Sequence, residues 1–370
     1  KYFPVLSKQG SLLPFFITIS NIQSSNPTSV SHGNERVIRP RLSDAEFFWQ
    51  QDNKLTLEQR VDSLNNVVFQ HKLGSLGEKT TRVTALSSAL AKQLGYDTDL
   101  AARAALLSKA DLVTDMVGEF ASLQGVIGRY YAIENGEPRA VAAAIEEQYL
   151  PKLSGGPLPS SETGQVLALA DKLDTLVGVF SVGLLPTGDK DPFALRRASL
   201  GILRIIIENN LNLDLNALIT LSCEQFTHAF DTNSTQPLVL NFMLDRLKGY
   251  CLNKGFSAEH IAAVASINCS EPVDFMNRIQ AVQDFSALPE AASLSEANKR
   301  IQNLLKKAPA NISDQLNADL LSDAAETELY QQLLRCESQA QASIKQQQYI
   351  AALKALSSLK EPIDAFFEHV

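Results

Sequence analysis

The sequence predicts a mainly α-helical protein with a short β segment at its N-terminus. Within residues 83–94 apolar side chains recur at helical spacing, and Gly95 follows at the position where a helix commonly ends. Segments 166–180 and 193–209 are strongly apolar and long enough to form buried helices. These three segments make helices the main element of the predicted fold.

The β segment is predicted from a short run of strand-forming residues at 15–19, followed by a polar, turn-rich stretch at 24–34. Ser43 precedes Glu46 by three residues, which is the spacing of a helix capping box, and helical sequence follows. We therefore predict that residues 1–45 are the tail of a β-containing domain. The chain starts at Lys1 directly before apolar sequence, and we expect that further sequence precedes it in the whole protein.

The remainder divides into two predicted helical domains, at 46–213 and 214–370. The second is more polar, and its segment 326–359 is rich in Gln, Ala and Leu. This segment is predicted to form two antiparallel helices with a turn near Gln346. Pro362 is expected at the start of a last helix.

Composition restricts the class of protein. The 370 residues are 45% hydrophobic and 20% charged, as in ordinary globular proteins. No apolar run reaches the roughly 20 residues of a membrane span, so no membrane partner is expected. The four cysteines lie far apart and form no CxxC pair, which indicates free thiols and a cytoplasmic protein. The net charge of −8 means that any polyanion would have to bind at local basic clusters.

The first basic cluster lies in the segment GNERVIRPRLSDAEFF, residues 33–48, and contains Arg36, Arg39 and Arg41. Pro40 is expected to keep this backbone extended. On an irregular segment the three guanidinium groups would be available to bind phosphates. Alternatively, they pair with the nearby carboxylates at a domain junction, an interpretation that the chemistry alone favours. Those carboxylates are Glu35, Asp44 and Glu46.

A dispersed set of residues, His71, Asp111 and Asp171, suggests an HD-type metal-dependent phosphohydrolase. Such a centre needs one His, a His-Asp pair and a later Asp on facing helices. Ala110 stands where the His of the pair is required, and alanine cannot bind a metal. A helical scaffold without metal is therefore the preferred interpretation.

Two more basic clusters lie on predicted helices. Asp191 and Pro192 are expected to begin a helix that carries Arg196 and Arg197, which either bind RNA or pair with Asp189 and Asp191. Lys299, Arg300 and Lys307 share or border one helical face, for which a solvated surface is the usual interpretation. The sequence contains no GxSxG, HExxH, HIGH or KMSKS motif.

Five segments in order resemble motifs of the bacterial glycyl-tRNA synthetase β subunit family, and they cover residues 1–215 densely. They are GNERVIRPRLSDAEFF, LLSKADL, LQGVIGRYYA, LALADKLDTLVGVF and DKDPFALRRASLGILRIII. Beyond residue 215, ANKRIQNLL and EPIDAFFEHV resemble the helical anticodon-binding domain of arginyl-type synthetases.

The resemblance implies a degenerate HD-like domain at 46–213 and a DALR-like anticodon-binding domain at 214–370. It also implies an α2β2 assembly in which the α subunit activates glycine with ATP and Mg, while this chain binds no cofactor and contacts tRNA-Gly. Part of the family's β subunit would precede this chain. The expected tRNA-binding residues are the eight members of the basic clusters: Arg36, Arg39, Arg41, Arg196, Arg197, Lys299, Arg300 and Lys307.

The function predicted on this basis is tRNA recognition within a two-subunit glycine–tRNA ligase, with the chain alone inactive. Two alternatives remain open at this point. One is the HD-type phosphohydrolase, which a divalent ion bound by His71, Asp111 and Asp171 would indicate. The other is a helical interaction scaffold, which tight, salt-dependent tRNA binding would exclude.

Overall fold

Helices form most of the chain, which confirms the predicted fold class. The computed structural model describes residues 2–188, 190–307 and 316–370. The α-helices are α1 Pro27–Asp52, α2 Leu57–Arg60, α3 Leu76–Leu94, α4 Thr98–Leu107, α5 Asp115–Glu119, α6 Val126–Glu134, α7 Arg139–Glu147, α8 Glu162–Ser181, α9 Leu195–Glu208, α10 Leu215–Cys223, α11 Thr232–Asn253, α12 Ala258–Ala265, α13 Pro272–Ser286, α14 Pro289–Leu305, α15 Ala324–Lys345, α16 Tyr349–Ser357 and α17 Lys360–His369.

Short 3-10 helices and two small hairpins complete the described elements. The 3-10 helices are Val61–Asn66, Ala110–Val113, Ala121–Leu123 and Ala318–Leu320. The strands are β1 Tyr2–Leu6, β2 Leu12–Thr18, β3 Val68–Gln70 and β4 Gly74–Ser75, paired antiparallel as β1 with β2 and β3 with β4.

The predicted β segment is present as the β1–β2 hairpin, but the irregular segment after it was predicted wrongly. Helix α1 begins at Pro27 rather than Ser43, because Asn26 caps it by accepting a hydrogen bond from the amide of Ser29 at 3.1 Å. Pro40 lies inside this helix instead of holding an extended backbone. The helix is largely exposed here, so water can solvate the carbonyl that proline leaves unbonded. The predicted boundary at 45/46 falls within α1 and stays a prediction.

The centre of the helical body is α8, which is apolar around nearly its whole circumference and therefore buried. It packs against α3, α7 and α9. The apolar face predicted at 83–94 is buried on α3, and Gly95 ends that helix in the left-handed conformation, with φ of 74°. Helices α10 and α11 pack on the same centre.

One continuous group of buried apolar residues runs from Leu57 to Ile279, and a smaller group holds the last helices together around Ala297 and Ile363. The predicted boundary at 213/214 stays a prediction, but the larger core extends beyond it through α13. The predicted pair of helices in 326–359 is confirmed as α15 and α16, with the turn at Gln346–Gln348.

A polar contact fastens the last helices to the body. The hydroxyl of Tyr349 on α16 donates a hydrogen bond to the carboxylate of Asp274 on α13. Arg278 holds the same carboxylate, with Nε 2.6 Å from Oδ2, and its guanidinium lies 4.4 Å from the centre of the Tyr349 ring. The four cysteines are free thiols, as predicted. Within the described ranges, none of the helices has the length and apolarity needed to cross a lipid bilayer.

Candidate nucleic-acid interface

The three residues of the suspected HD-type centre do not form a ligand set. His71 is exposed in the turn between β3 and β4. Asp111 is buried, and its Oδ2 accepts a hydrogen bond from the amide of Gly125 at 2.6 Å. Burial raises the pKa of the Asp111 carboxyl, which makes a bound cation less favourable there than at an ionised carboxylate. No group of three or more potential metal ligands occurs in the part of the chain that the structure describes.

Two buried lysines form ion pairs with Asp171, the remaining carboxylate of that suspected centre. Nζ of Lys109 lies 3.0 Å from Oδ1 of Asp171, and Nζ of Lys79 lies 3.2 Å from the same atom. Burial by itself would raise the pKa of Asp171, but the two ammonium groups outweigh it and hold the pKa below its ordinary value. The residues present therefore do not fit a metal, because ammonium groups already pair with the Asp171 carboxylate.

A second carboxylate extends this network. Asp174, one turn further along α8, accepts hydrogen bonds from Nζ of Lys79 at 2.9 Å and from Nε of Arg82 at 2.6 Å. The guanidinium of Arg82 also lies 4.5 Å from the centre of the Phe226 ring. Three cations thus surround two carboxylates in the middle of the body, where a metal-dependent enzyme would need free ligands.

Sequence reasoning missed Lys79, Arg82 and Asp174, although a signal for one of them was present. Lys79 lies four residues before Val83 and therefore on the apolar face of α3 that was recognised at 83–94. A lysine on a buried helical face needs a carboxylate partner. The sequence alone does not show that α8 supplies it.

A cavity of about 550 Å³ opens beside this network. Its walls come from the segment after α7, from α8 and from the start of α9. Three of its lining residues are cationic, Lys152, Lys172 and Arg197, and its one lining carboxylate is Asp171, which the two buried lysines hold. We call this space the lysine cavity.

The structure separates Arg196 from Arg197. The guanidinium of Arg196 donates a hydrogen bond to the carbonyl of Gly188 at 2.5 Å, whereas Arg197 is exposed and lines the lysine cavity. The helix here begins at Leu195 and not at Asp191, so that prediction was wrong by one turn. Asp191 still caps it, because its carboxylate accepts hydrogen bonds from the amides of Leu195 and Arg196 at 2.8 and 3.0 Å. The other predicted acidic partner, Asp189, lies outside the described residues.

The three arginines of residues 33–48 lie on α1 and do not share one face. Arg36 and Arg39 are one helical turn apart and exposed, and neither forms an ion pair with a described residue. Arg41 points elsewhere: Nη1 lies 3.9 Å from Oε1 of Glu119, and the guanidinium lies 5.6 Å from the centre of the Phe120 ring. The alternative interpretation, in which these arginines pair with carboxylates of their own segment, is therefore wrong.

The three residues of the C-terminal basic cluster, on and just after α14, also differ in their contacts. Arg300 on α14 is paired with Asp364 of α17 at 2.5 Å and packs over the Phe367 ring. Lys299 and Lys307 are exposed and form no ion pair with residues in the described ranges. Among the described residues these two ammonium groups are thus unpaired, while Arg300 joins α14 to α17.

Two family models match this helical chain. The model described as glycyl-tRNA synthetase beta subunit matches residues 1–266, and the model described as DALR anticodon binding domain matches residues 294–370. The chain is thus a helical protein whose C-terminal part is similar to an anticodon-binding domain. It belongs to the glycyl-tRNA synthetase beta subunit family.

Curated relatives that match the whole length of this chain have the same name as the family. The glycine–tRNA ligase beta subunits of Ectopseudomonas mendocina and Janthinobacterium sp. (strain Marseille) are both 48% identical to it over 370 residues. The beta subunit of Methylobacillus flagellatus is 48% identical over 372 residues. All of this chain is matched, but it covers only 54%, 53% and 52% of these relatives. The chain spans about half the length of the curated relatives that it matches.

Proposed function

We propose that this chain is the tRNA-recognition part of a two-subunit glycine–tRNA ligase and binds tRNA-Gly. The observation that carries the proposal is the distribution of charge. In a chain with net charge −8, cations that pair with no carboxylate among the described residues lie in the lysine cavity and at the exposed positions Lys299 and Lys307. Local positive charge of this kind is what binding to an RNA backbone requires. The match of residues 294–370 to an anticodon-binding domain supports the same function.

The aminoacylation reaction itself is proposed to require the complete two-subunit assembly. The chain is proposed to work with a glycyl-tRNA synthetase α subunit, as an α2β2 complex in the cytoplasm, and to bind no cofactor itself. Glycine activation with ATP and Mg would take place on the α subunit. The family name of the relatives, which identifies them as beta subunits, supports a partner of this kind.

The phosphohydrolase alternative is disfavoured by the network around Asp171. A metal that activates water needs several fixed protein ligands and an open coordination position. Here Asp171 is paired with two lysines, Asp111 is engaged by an amide, and His71 is exposed. Protein ammonium groups therefore stand beside Asp171 where a phosphohydrolase would need a metal ion.

Binding of tRNA-Gly to the purified chain tests the proposal directly. Affinity is measured at several salt concentrations for tRNA-Gly and for a tRNA of another specificity. We expect tighter binding of tRNA-Gly and a log–log salt slope of roughly −3 to −6, since about four to seven phosphates would be neutralised. A flat salt dependence or equal affinity for both tRNAs would contradict the proposed function.

A further inference from the structure

The lysine cavity has the size and walls of a site for a single nucleotide. About 550 Å³ is within the range of small-molecule sites in proteins, which is about 300–1,000 Å³. Tyr149 and Pro151 form the wall after α7, Lys172 and Thr175 the wall on α8, and Phe193 and Arg197 the wall at the start of α9. With Ser122 and Gln124 before α6, four separate segments of the body therefore border one open space.

The positive charge of this cavity is not neutralised by the protein. No carboxylate in residues 2–188, 190–307 and 316–370 forms an ion pair with Lys152, Lys172 or Arg197. The lining carboxylate, Asp171, offsets only part of their charge, because Lys79 and Lys109 already pair with it. An excess of cationic groups around a concave, partly desolvated space selects an anion.

Lys172 is fixed as a donor on the cavity wall. Its Nζ donates a hydrogen bond to the carbonyl of Gln148 at 2.8 Å, and an ammonium group has two further N–H groups to donate. Burial lowers the pKa of Lys172 to about 8; the Asp171 carboxylate opposes this shift, and the ammonium groups of Lys109 and Lys79 add to it. A bound anion would oppose both effects, so the site is electrostatically more favourable with an anion than without one.

The remaining walls suit the rest of a nucleotide. Phe193 is half-buried and lines the cavity, where its ring offers a flat apolar surface to a base. The ring of Tyr149 is held beneath the Lys109 ammonium, 4.8 Å from the ring centre, and its buried hydroxyl has no hydrogen-bond partner among the described residues. Buried hydroxyl groups are normally paired, so this oxygen is an unsatisfied polar atom in the wall of the cavity.

We propose that the lysine cavity binds one nucleotide through its phosphate, with Lys172 and Arg197 as the phosphate donors and Phe193 against the base. The phosphate comes either from a free mononucleotide or from a nucleotide of the bound tRNA. The second form rests on the proposed function, whereas the first does not.

The test uses AMP and tRNA-Gly as probes on four proteins: the unchanged chain, Lys172→Met, Arg197→Met and the control Lys92→Met. Methionine keeps the packed stem of Lys172 and removes its charge. Lys92 is exposed near the end of α3 and does not line the cavity, so its substitution removes the same charge elsewhere. Calorimetry measures AMP against adenosine, and thermal unfolding shows that each variant is folded.

We expect AMP to bind the unchanged chain at least about tenfold more tightly than adenosine, and both cavity variants to lose about tenfold or more in AMP affinity, as is usual for hydrogen bonds to charged groups. If tRNA supplies the phosphate, each cavity variant also flattens the salt slope for tRNA-Gly by about 0.7–0.9, and Lys92→Met does not. Loss of AMP binding with unchanged tRNA binding would restrict the site to free nucleotides and overturn its RNA form.

Unchanged binding of both AMP and tRNA-Gly in the two folded cavity variants would overturn the proposal altogether. Failure of the unchanged chain to bind tRNA would instead contradict the proposed function, and the AMP comparison would still decide whether the cavity is a nucleotide site. The two failures are thus distinguishable.

Discussion

Lys109 and Asp171 form a buried ion pair, with Nζ 3.0 Å from Oδ1, at the carboxylate that an HD-type centre would give to its metal. The pair joins the segment after α4 to the middle of α8, and Lys79 of α3 reaches the same oxygen at 3.2 Å. Three segments of the helical body are therefore linked by ion pairs to one carboxylate.

Removal of the Asp171 charge alone should destabilise the fold strongly. We expect Asp171→Leu to lower the free energy of unfolding by about 3–5 kcal/mol, because the buried Lys109 loses its carboxylate partner and Lys79 keeps only Asp174. Adding Lys109→Met should recover part of that loss, since the uncompensated charge is then removed. Urea unfolding of both single variants and the double variant measures this. Strictly additive losses would show that the two side chains are not coupled.

The purified chain should contain no stoichiometric divalent ion at this centre and should hydrolyse no phosphate ester. The physical reason is that Lys79 and Lys109 already neutralise the charge of the Asp171 carboxylate, which a metal ion would need as a ligand. Metal analysis and a screen of phosphodiester and phosphomonoester substrates check the expectation. A bound ion that disappears in Asp111→Asn or Asp171→Asn, together with a hydrolytic activity, would restore the phosphohydrolase interpretation.

Charge reversal at the C-terminal cluster should weaken tRNA binding without unfolding the protein. We expect Lys299→Glu with Lys307→Glu to reduce tRNA-Gly affinity while changing stability by less than about 0.5 kcal/mol per site, because both side chains are exposed and unpaired among the described residues. Arg300 is left unchanged because it pairs with Asp364. The control is Lys92→Glu, which changes charge at a surface outside this cluster. Equal tRNA affinity in the folded double variant and the control would place the RNA contact elsewhere.

The chain alone should form no glycyl-tRNA. It contains neither a HIGH nor a KMSKS motif, and it spans about half the length of its curated relatives. Incubation with ATP, glycine and tRNA-Gly, followed by measurement of charged tRNA, provides the check. Charging by the purified chain without any α subunit would refute the proposed division of labour.

The pH dependence of stability should report on Lys172. Burial lowers its pKa from 10.5 to about 8, so between these values the unfolded chain binds the proton that the folded chain has lost. The free energy of unfolding of the unchanged chain, relative to Lys172→Met, should therefore rise with pH from about 8 to 10.5, by about 1–3 kcal/mol. Urea unfolding of both proteins across this pH range tests the sign. A difference that falls or stays constant would contradict a buried, destabilised ammonium group.

Local sequence patterns predicted several elements correctly for identifiable reasons. The apolar face of α3, its end at Gly95 and the pair α15 and α16 follow from periodicity and backbone preference, which depend only on neighbours in the chain. The same local reasoning failed at Pro40, where a proline was taken to exclude helix. An exposed helix tolerates it because the unbonded carbonyl can reach water.

The sequence by itself determined the helical class, the family and the absence of a ligand at Ala110 beside Asp111. Only the tertiary structure decided where the charges meet. Lys79 and Asp171 are 92 residues apart, and their contact depends on the packing of α3 against α8. The same packing leaves Lys172 and Arg197 around one cavity while Arg196, next in sequence, is bound to a backbone carbonyl. Coulomb interactions depend on distance and burial in space, and neither can be read from spacing along the chain.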